Sequence, residues 1–189
     1  MRKILYLMIA IFVFRCNINA QKTVDFKLQT DGNFTNTVDS KSFAVIPYNG
    51  KTQNELYLDI STAITKLYKS PKDVVSEVEN EIISIKGFCP DCIAVKTPGM
   101  KLHFGVEYIL KFQFKDEKIR IDAPIVSRMI SEYQPAIYTE LFPDWISSWK
   151  IYKEGQPNPK RQYLISDLNN TLNRLINNIL SCKSQDEDW

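Results

Sequence analysis

The chain has 189 residues, 24 basic and 22 acidic side chains, a net charge of +2 and 44% hydrophobic residues. That length suits one domain with its own core: a chain of about 150 residues buries about 68–70% of its unfolded surface, so disulfides are optional for stability. A charge so close to balance excludes nucleic-acid binding driven by phosphate neutralisation.

The chain opens with Arg2 and Lys3, an apolar run from Ile4 to Phe14, and a polar stretch ending at Ala20. This is the layout of a secretory signal peptide. The apolar run is eleven residues long, whereas a bilayer core takes about 20 helical residues, so the segment reads as a leader and not as an anchor. Small Ala20 marks the expected cut. Lipid attachment at Cys16 is disfavoured because Val13, Phe14 and Arg15 precede it where small residues belong. Cleavage removes Arg2, Lys3 and Arg15 and no acid, leaving 21 basic against 22 acidic side chains.

Val24, Phe26 and Leu28 alternate with Asp25, Lys27 and Gln29, the period of a half-buried strand, and Asp31-Gly32 supplies a turn. Phe34 to Pro47 returns as one or two extended pieces, of which Phe43 to Ile46 is the stronger. Pro47 and Asn49-Gly50 close it. Thr52 and Glu55 form a capping box, and Leu56, Ile60, Ala63, Ile64 and Leu67 share one face of a helix reaching about Lys69, just before Pro71.

Val74–Glu79 and Glu81–Phe88 read as two strands joined at Asn80. The strongest strand follows: Leu102, Phe104, Val106, Tyr108, Leu110, Phe112 and Phe114 occupy every second position, with mostly polar residues between them. A polar turn at Lys115–Lys118 leads into Ile119, Ile121 and Ala123, a hairpin expected to end at Pro124. Residues 125–162 hold Pro135, Pro143, Pro157 and Pro159 without sustained period and read as a long excursion with one short helix. Leu164, Leu168, Leu172, Leu175, Ile176, Ile179 and Cys182 then line one face of a long amphipathic helix, with Asp167, Asn169, Asn170, Asn173 and Arg174 off that face.

A strand apolar on one side needs a single covering layer, and two amphipathic helices supply it. The expected fold class is therefore α+β: an antiparallel sheet of about five to six strands with two long helices packed on one face. The expected organisation is a leader over 1–20, one domain over 21–182 and a flexible acidic tail over 183–189.

Three segments carry a likeness to a known family. They are Gly50-Lys51-Thr52-Gln53-Asn54-Glu55-Leu56-Tyr57, Ile82-Ile83-Ser84-Ile85-Lys86-Gly87, and the hairpin from Tyr108 to Arg120. The chain resembles exported bacterial proteins carrying a domain of unknown function with a TBP-like fold. The match covers about residues 43 to 123, with the TBP-like part extending over about 43–182. The resemblance implies a curved antiparallel sheet backed by two helices in an extracytoplasmic protein, and brings no catalytic residues with it. Two stretches depart from the family pattern: the Cys-Pro-Asp-Cys loop and the aromatic excursion over 124–162. The fold's namesake binds DNA through a basic surface that this chain lacks, and fold alone does not fix function.

Cys89 and Cys92 carry three readings. An oxidising compartment favours a disulfide. A thiol oxidoreductase would want the first cysteine at a helix N-terminus, but Ile93-Ala94-Val95 reads as extended or looped. Zinc would need Cys89, Cys92, Cys182 and His103 together, and a single Cys-x-x-Cys is a weak signal for that. No metal or cofactor is expected. His103 is the only histidine, and no G-x-S-x-G elbow presents a serine. Glu77, Glu79, Glu81, Glu107 and Asp122 lie on strands that a carboxylate hydrolase would have to bring together. The excursion holds Tyr133, Tyr138, Phe142, Trp145, Trp149 and Tyr152. Of these, Tyr138, Trp145 and Trp149 are the candidate ligand-binding residues if exposed, and a roof over one end of the sheet if buried.

The expected role is that of an exported, non-enzymatic module acting through a protein or glycan ligand or in an envelope assembly, with no stable membrane insertion after leader cleavage. The alternative is an extracytoplasmic enzyme, either a thiol oxidoreductase at Cys89 and Cys92 or a carboxylate hydrolase.

Overall fold

The computed structural model describes residues 23–97, 100–133 and 136–181. The leader, Cys182 and the tail lie outside the described residues. The chain begins with strands β1 (Phe26–Leu28), β2 (Phe34–Asn36) and β3 (Phe43–Pro47), then helices α1 (Gln53–Leu67) and α2 (Pro71–Val74). Strands β4 (Val75–Val78), β5 (Ile82–Thr97), β6 (Met100–Lys115), β7 (Lys118–Tyr133) and β8 (Ala136–Leu141) follow. Helix α3 (Phe142–Ser148), the short strands β9 (Tyr152–Lys153) and β10 (Gln156–Pro157), and helix α4 (Gln162–Ser181) complete the order.

Six strands form the main antiparallel sheet, in the order β3-β7-β6-β5-β4 with β8 also paired to β7. The alternation read in β6 sets the layers. Phe104, Val106, Tyr108, Leu110, Phe112 and Phe114 are all buried, as are Ile83, Ile85, Ile93 and Val95 of β5 and Ile119, Ile121 and Met129 of β7. Leu56, Ile60, Ala63 and Ile64 of α1 and Leu164, Leu168, Leu172, Ile176 and Ile179 of α4 join the same core. Burying each such side chain contributes about 1.5–3 kcal/mol, so this layer outweighs any single polar contact in the fold.

The capping box is present as expected. The Glu55 carboxylate accepts from the Thr52 backbone N–H at 2.7 Å, and Thr52 Oγ1 accepts from the Glu55 N–H at 3.3 Å. Helix α1 ends at Leu67, and Pro71 opens α2.

Three expectations need correction. The sheet is not curled. Four helices occur among the described residues, where two long ones and a short one in the excursion were expected: the addition is α2, a one-turn segment whose length gives periodicity too little to register. The hairpin does not end at Pro124. Strand β7 runs on to Tyr133 and is followed by its partner β8, so the first part of the supposed excursion, to Leu141, belongs to the sheet. Pro124 is tolerated because the β6–β7 ladder shifts register between Ile109 and Lys111, and at such a bulge a missing N–H costs no ladder bond.

The helix face also needs revision. Asn169, Asn173 and Asn177, four residues apart on α4, point at β1 rather than at solvent. Their side-chain oxygens accept from the backbone N–H groups of Leu28 at 3.0 Å, Phe26 at 2.8 Å and Val24 at 2.8 Å. The amides of Asn173 and Asn177 donate back to the Phe26 and Val24 carbonyls, each at 2.9 Å. Three side chains of α4 thus hydrogen-bond alternate residues, Val24 just before β1 and Phe26 and Leu28 within it, while Phe26 to Leu28 pair on their other edge with β2.

Candidate functional site

The two features singled out in the sequence lie on or against the sheet. Strand β5 runs straight through the Cys-Pro-Asp-Cys segment. Cys89 faces Val106 and Ile93 faces Phe104, so Pro90, Asp91 and Cys92 bulge out against the single residue between those two partners, Gly105. Asp91 sits in the left-handed region at φ +49°. The absence of a side chain at Gly105 makes room: a Cβ there would meet the Phe88 ring at 2.3 Å.

Cys89 is half-buried, Cys92 is buried, and the two sulfurs are unbridged. The Cys92 thiol hydrogen-bonds to Cys89 and, helped by the Arg174 guanidinium on α4, brings the Cys89 thiol down to about 7 against the opposing effect of burial. The same hydrogen bond, with burial, pushes Cys92 far up. Thr171 also hydrogen-bonds Cys92, so α4 contributes two of the groups around the pair. Tyr108 lies directly across from Gly87, where a Cβ would be 2.4 Å from the phenol oxygen. Its hydroxyl shares a 2.8 Å hydrogen bond with Tyr68. Burial, then that bond, raise the Tyr108 pKa, and the neighbouring sulfurs raise it further.

This division of labour gives a pH-dependent expectation. In the reduced protein, iodoacetamide should modify Cys89 with a rate that climbs through pH 7 and levels off well before an ordinary thiol near 8.5 would. Cys92 should stay unmodified. Mass spectrometry of the alkylated peptide across pH checks this, and equal labelling of both sulfurs at pH 7 would contradict the geometry.

The remaining candidates scatter. His103 stands on the opposite face of the sheet from Val106 and Tyr108, with Nδ1 3.4 Å from an Asp91 carboxylate oxygen. No group of three metal-ligating side chains occurs among the described residues. Glu77 accepts from Tyr57 Oη at 2.8 Å, Glu107 lies near the Ser127 hydroxyl at 3.4 Å, and Asp122 pairs with Arg120 at 2.7 Å. These carboxylates hold separate partners on β4, β6 and β7.

The aromatic residues divide. Tyr138 is exposed on β8, and its hydroxyl donates to Glu140 at 2.8 Å. Trp145 is sealed at 1% exposure, stacked on Phe142 with ring centres 6.0 Å apart, and so roofs the sheet. Trp149 is half-buried. Phe104 meets it edge-on at 5.4 Å, and the Arg161 guanidinium lies 5.5 Å from the indole centre. With Ser148, Lys150, Asn158, Lys160 and Arg161, Trp149 lines an open depression of about 590 Å³ between the end of α3 and the start of α4.

Asn158 organises that depression. Its side-chain amide donates to the Lys150 carbonyl at 2.9 Å, its side-chain oxygen accepts from the Lys160 N–H at 3.1 Å, and its backbone carbonyl accepts from the Arg161 N–H at 2.8 Å. Sequence reasoning found Trp149 but missed Lys150, Asn158, Lys160 and Arg161. The signal was a Pro-Asn-Pro turn followed at once by Lys160-Arg161.

No family profile matches the chain, and no curated protein matches it in sequence. Among solved structures it is similar to a TBP-like protein from Parabacteroides distasonis, at 13% identity and a TM-score of 0.52, covering 74% of this chain and 89% of that one. The fold is TBP-like. A DUF4468 family protein from Bacteroides ovatus is also similar, at 9% identity and a TM-score of 0.46, covering 72% and 84% of the two chains. At 13% identity the first of these likenesses carries the fold and nothing of the chemistry. The TBP-like scaffold therefore leaves function to be argued from the thiol pair and from the Trp149 depression.

Proposed function

We propose that this chain is an exported, non-enzymatic TBP-like module that holds a protein or glycan ligand at the Trp149 end of its sheet. The observation that carries the reading is the open depression built on Trp149, an indole fixed from below by Phe104 and reachable from solvent. Its volume lies within the range of about 300–1,000 Å³ typical of ligand sites. Export is supported by the leader pattern over residues 1–20. In an oxidising compartment, Cys89 and Cys92 close to a disulfide that clamps the β5 bulge.

Three measurements test this. Intact mass of the protein recovered from its producing cells is expected to begin at Gln21 without acyl addition; retention of residues 1–20 in all of the protein would defeat the export reading. Without reductant its Cys89 should resist alkylation, and after reduction it should follow the pH profile given above. In a glycan and protein screen, emission from Trp149 should shift for a ligand and the shift should vanish in Trp149→Phe. A screen in which that indole never responds defeats the binding reading.

A further inference from the structure

We propose that the Trp149 depression is a site for an acidic saccharide, with Lys150, Lys160 and Arg161 receiving the anionic group and the indole receiving the sugar ring. This rests on the reading of the chain as a ligand-binding module and names the ligand class.

Charge carries the first step. Residues 148–163 hold Lys150, Lys153, Lys160 and Arg161 against one acid, Glu154, in a chain otherwise close to balance. Glu154 lies against Lys153, at 3.8 Å. Among the described residues, none of Lys150, Lys160 and Arg161 has a carboxylate within ion-pair distance. Three cations around one hollow repel one another, and an oxyanion with several acceptor oxygens relieves that repulsion while accepting charge-assisted hydrogen bonds.

Placement carries the second. Asn158 ties the backbone at Lys150, Lys160 and Arg161 into one hydrogen-bonded turn, so the three cations are brought together before any ligand arrives. Lys150 is held in the left-handed region at φ +50°, a conformation that a lysine adopts only where its surroundings impose it.

The wall carries the third. Trp149 contributes a rigid aromatic surface beside the cations, and Arg161 lies against that ring. A ligand complementary to both has an oxyanion and an apolar ring face, with hydroxyl groups for the Ser148 side of the hollow. An acidic sugar, a uronate or a sulfate ester, meets all three conditions. The depression is open to solvent, so the site suits the end or a branch of a longer glycan.

Titration calorimetry with glucuronate, glucose 6-sulfate, glucose and inorganic sulfate tests this on the purified protein. At low salt at least one acidic sugar should bind about tenfold or more tighter than glucose and than inorganic sulfate, and the advantage should shrink as ionic strength rises. Arg161→Gln and Lys150→Gln should each weaken it roughly tenfold, the loss expected for one charge-assisted bond, with the circular dichroism spectrum unchanged. Lys27→Gln, at an exposed position of β1, should leave it alone. Glucose binding as tightly as the acids overturns this inference and leaves the module reading intact. Inorganic sulfate matching the sugar sulfate overturns the saccharide part. If no sugar binds, this inference falls, and the module reading falls with it only when the wider screen also leaves Trp149 unmoved.

Discussion

Replacing Phe104 with alanine is expected to cost about 3–5 kcal/mol of stability, the range for emptying a large aromatic site in a well-packed core. Phe104 is 1% exposed and meets two indoles edge-on, Trp145 at 6.1 Å and Trp149 at 5.4 Å. Among the aromatic rings of the described residues, it is the one from the sheet that meets both tryptophans of the α3 region. Removing it takes away the transfer free energy of the ring and two aromatic contacts worth about 0.5–1.5 kcal/mol each. The neighbours cannot close the gap cheaply, because Trp145 is already stacked on Phe142. Urea unfolding followed by tryptophan emission should show the loss, together with a red shift of the native spectrum. A cost below about 1 kcal/mol would mean that the aromatic end of the sheet is not packed as described.

Asn173→Ala is expected to cost about 2–4 kcal/mol, more than an average polar substitution, because it leaves buried partners unsatisfied. Asn173 is 8% exposed and serves three groups: it accepts from the Phe26 N–H and donates to the Phe26 carbonyl and to the Asp25 carboxylate. Alanine strands an N–H and a C=O in a place that water reaches poorly. Asn173→Asp should be no rescue, since it keeps an acceptor for the N–H but sets a carboxylate against a carbonyl and Asp25. Asn169→Ala, which removes one part-buried bond to Leu28, should cost less, about 1 kcal/mol. Hydrogen exchange at Phe26 gives an independent reading: its amide should lose protection in Asn173→Ala. An unchanged exchange rate there would refute the pairing.

Most of the layer architecture was legible because it is written in period two and period 3.6. Strand β6 was found from its alternation, and α1 and α4 from their apolar faces and the Thr52–Glu55 capping box. What escaped has specific causes. Pro124 reads as a stop in sequence, yet its missing N–H falls where β6 and β7 change register, and a register change leaves no one-dimensional trace. Asn169 and Asn173 read as a polar flank, and Asn177 went unnoticed, because hydropathy records how polar a side chain is and not what it bonds. Their spacing of four was visible, but its meaning depends on a strand about 150 residues away. The candidate site was legible at Trp149, Cys89 and Cys92 and illegible around them. Its cations come from the end of α3 and the approach to α4, and Arg174 and Thr171 reach the sulfurs only after α4 docks on β5.

The pairing of β1 with α4 also fixes an order of events. The first strand of the fold is completed by amides lying up to 153 residues later in the chain. Until the ribosome has released residue 177, Val24 has no amide to receive it, and closing so long a loop is slow in any case. A polypeptide built this way leaves its first strand unfinished until its last helix emerges, so the N-terminal end of the fold is the last part to be locked in place.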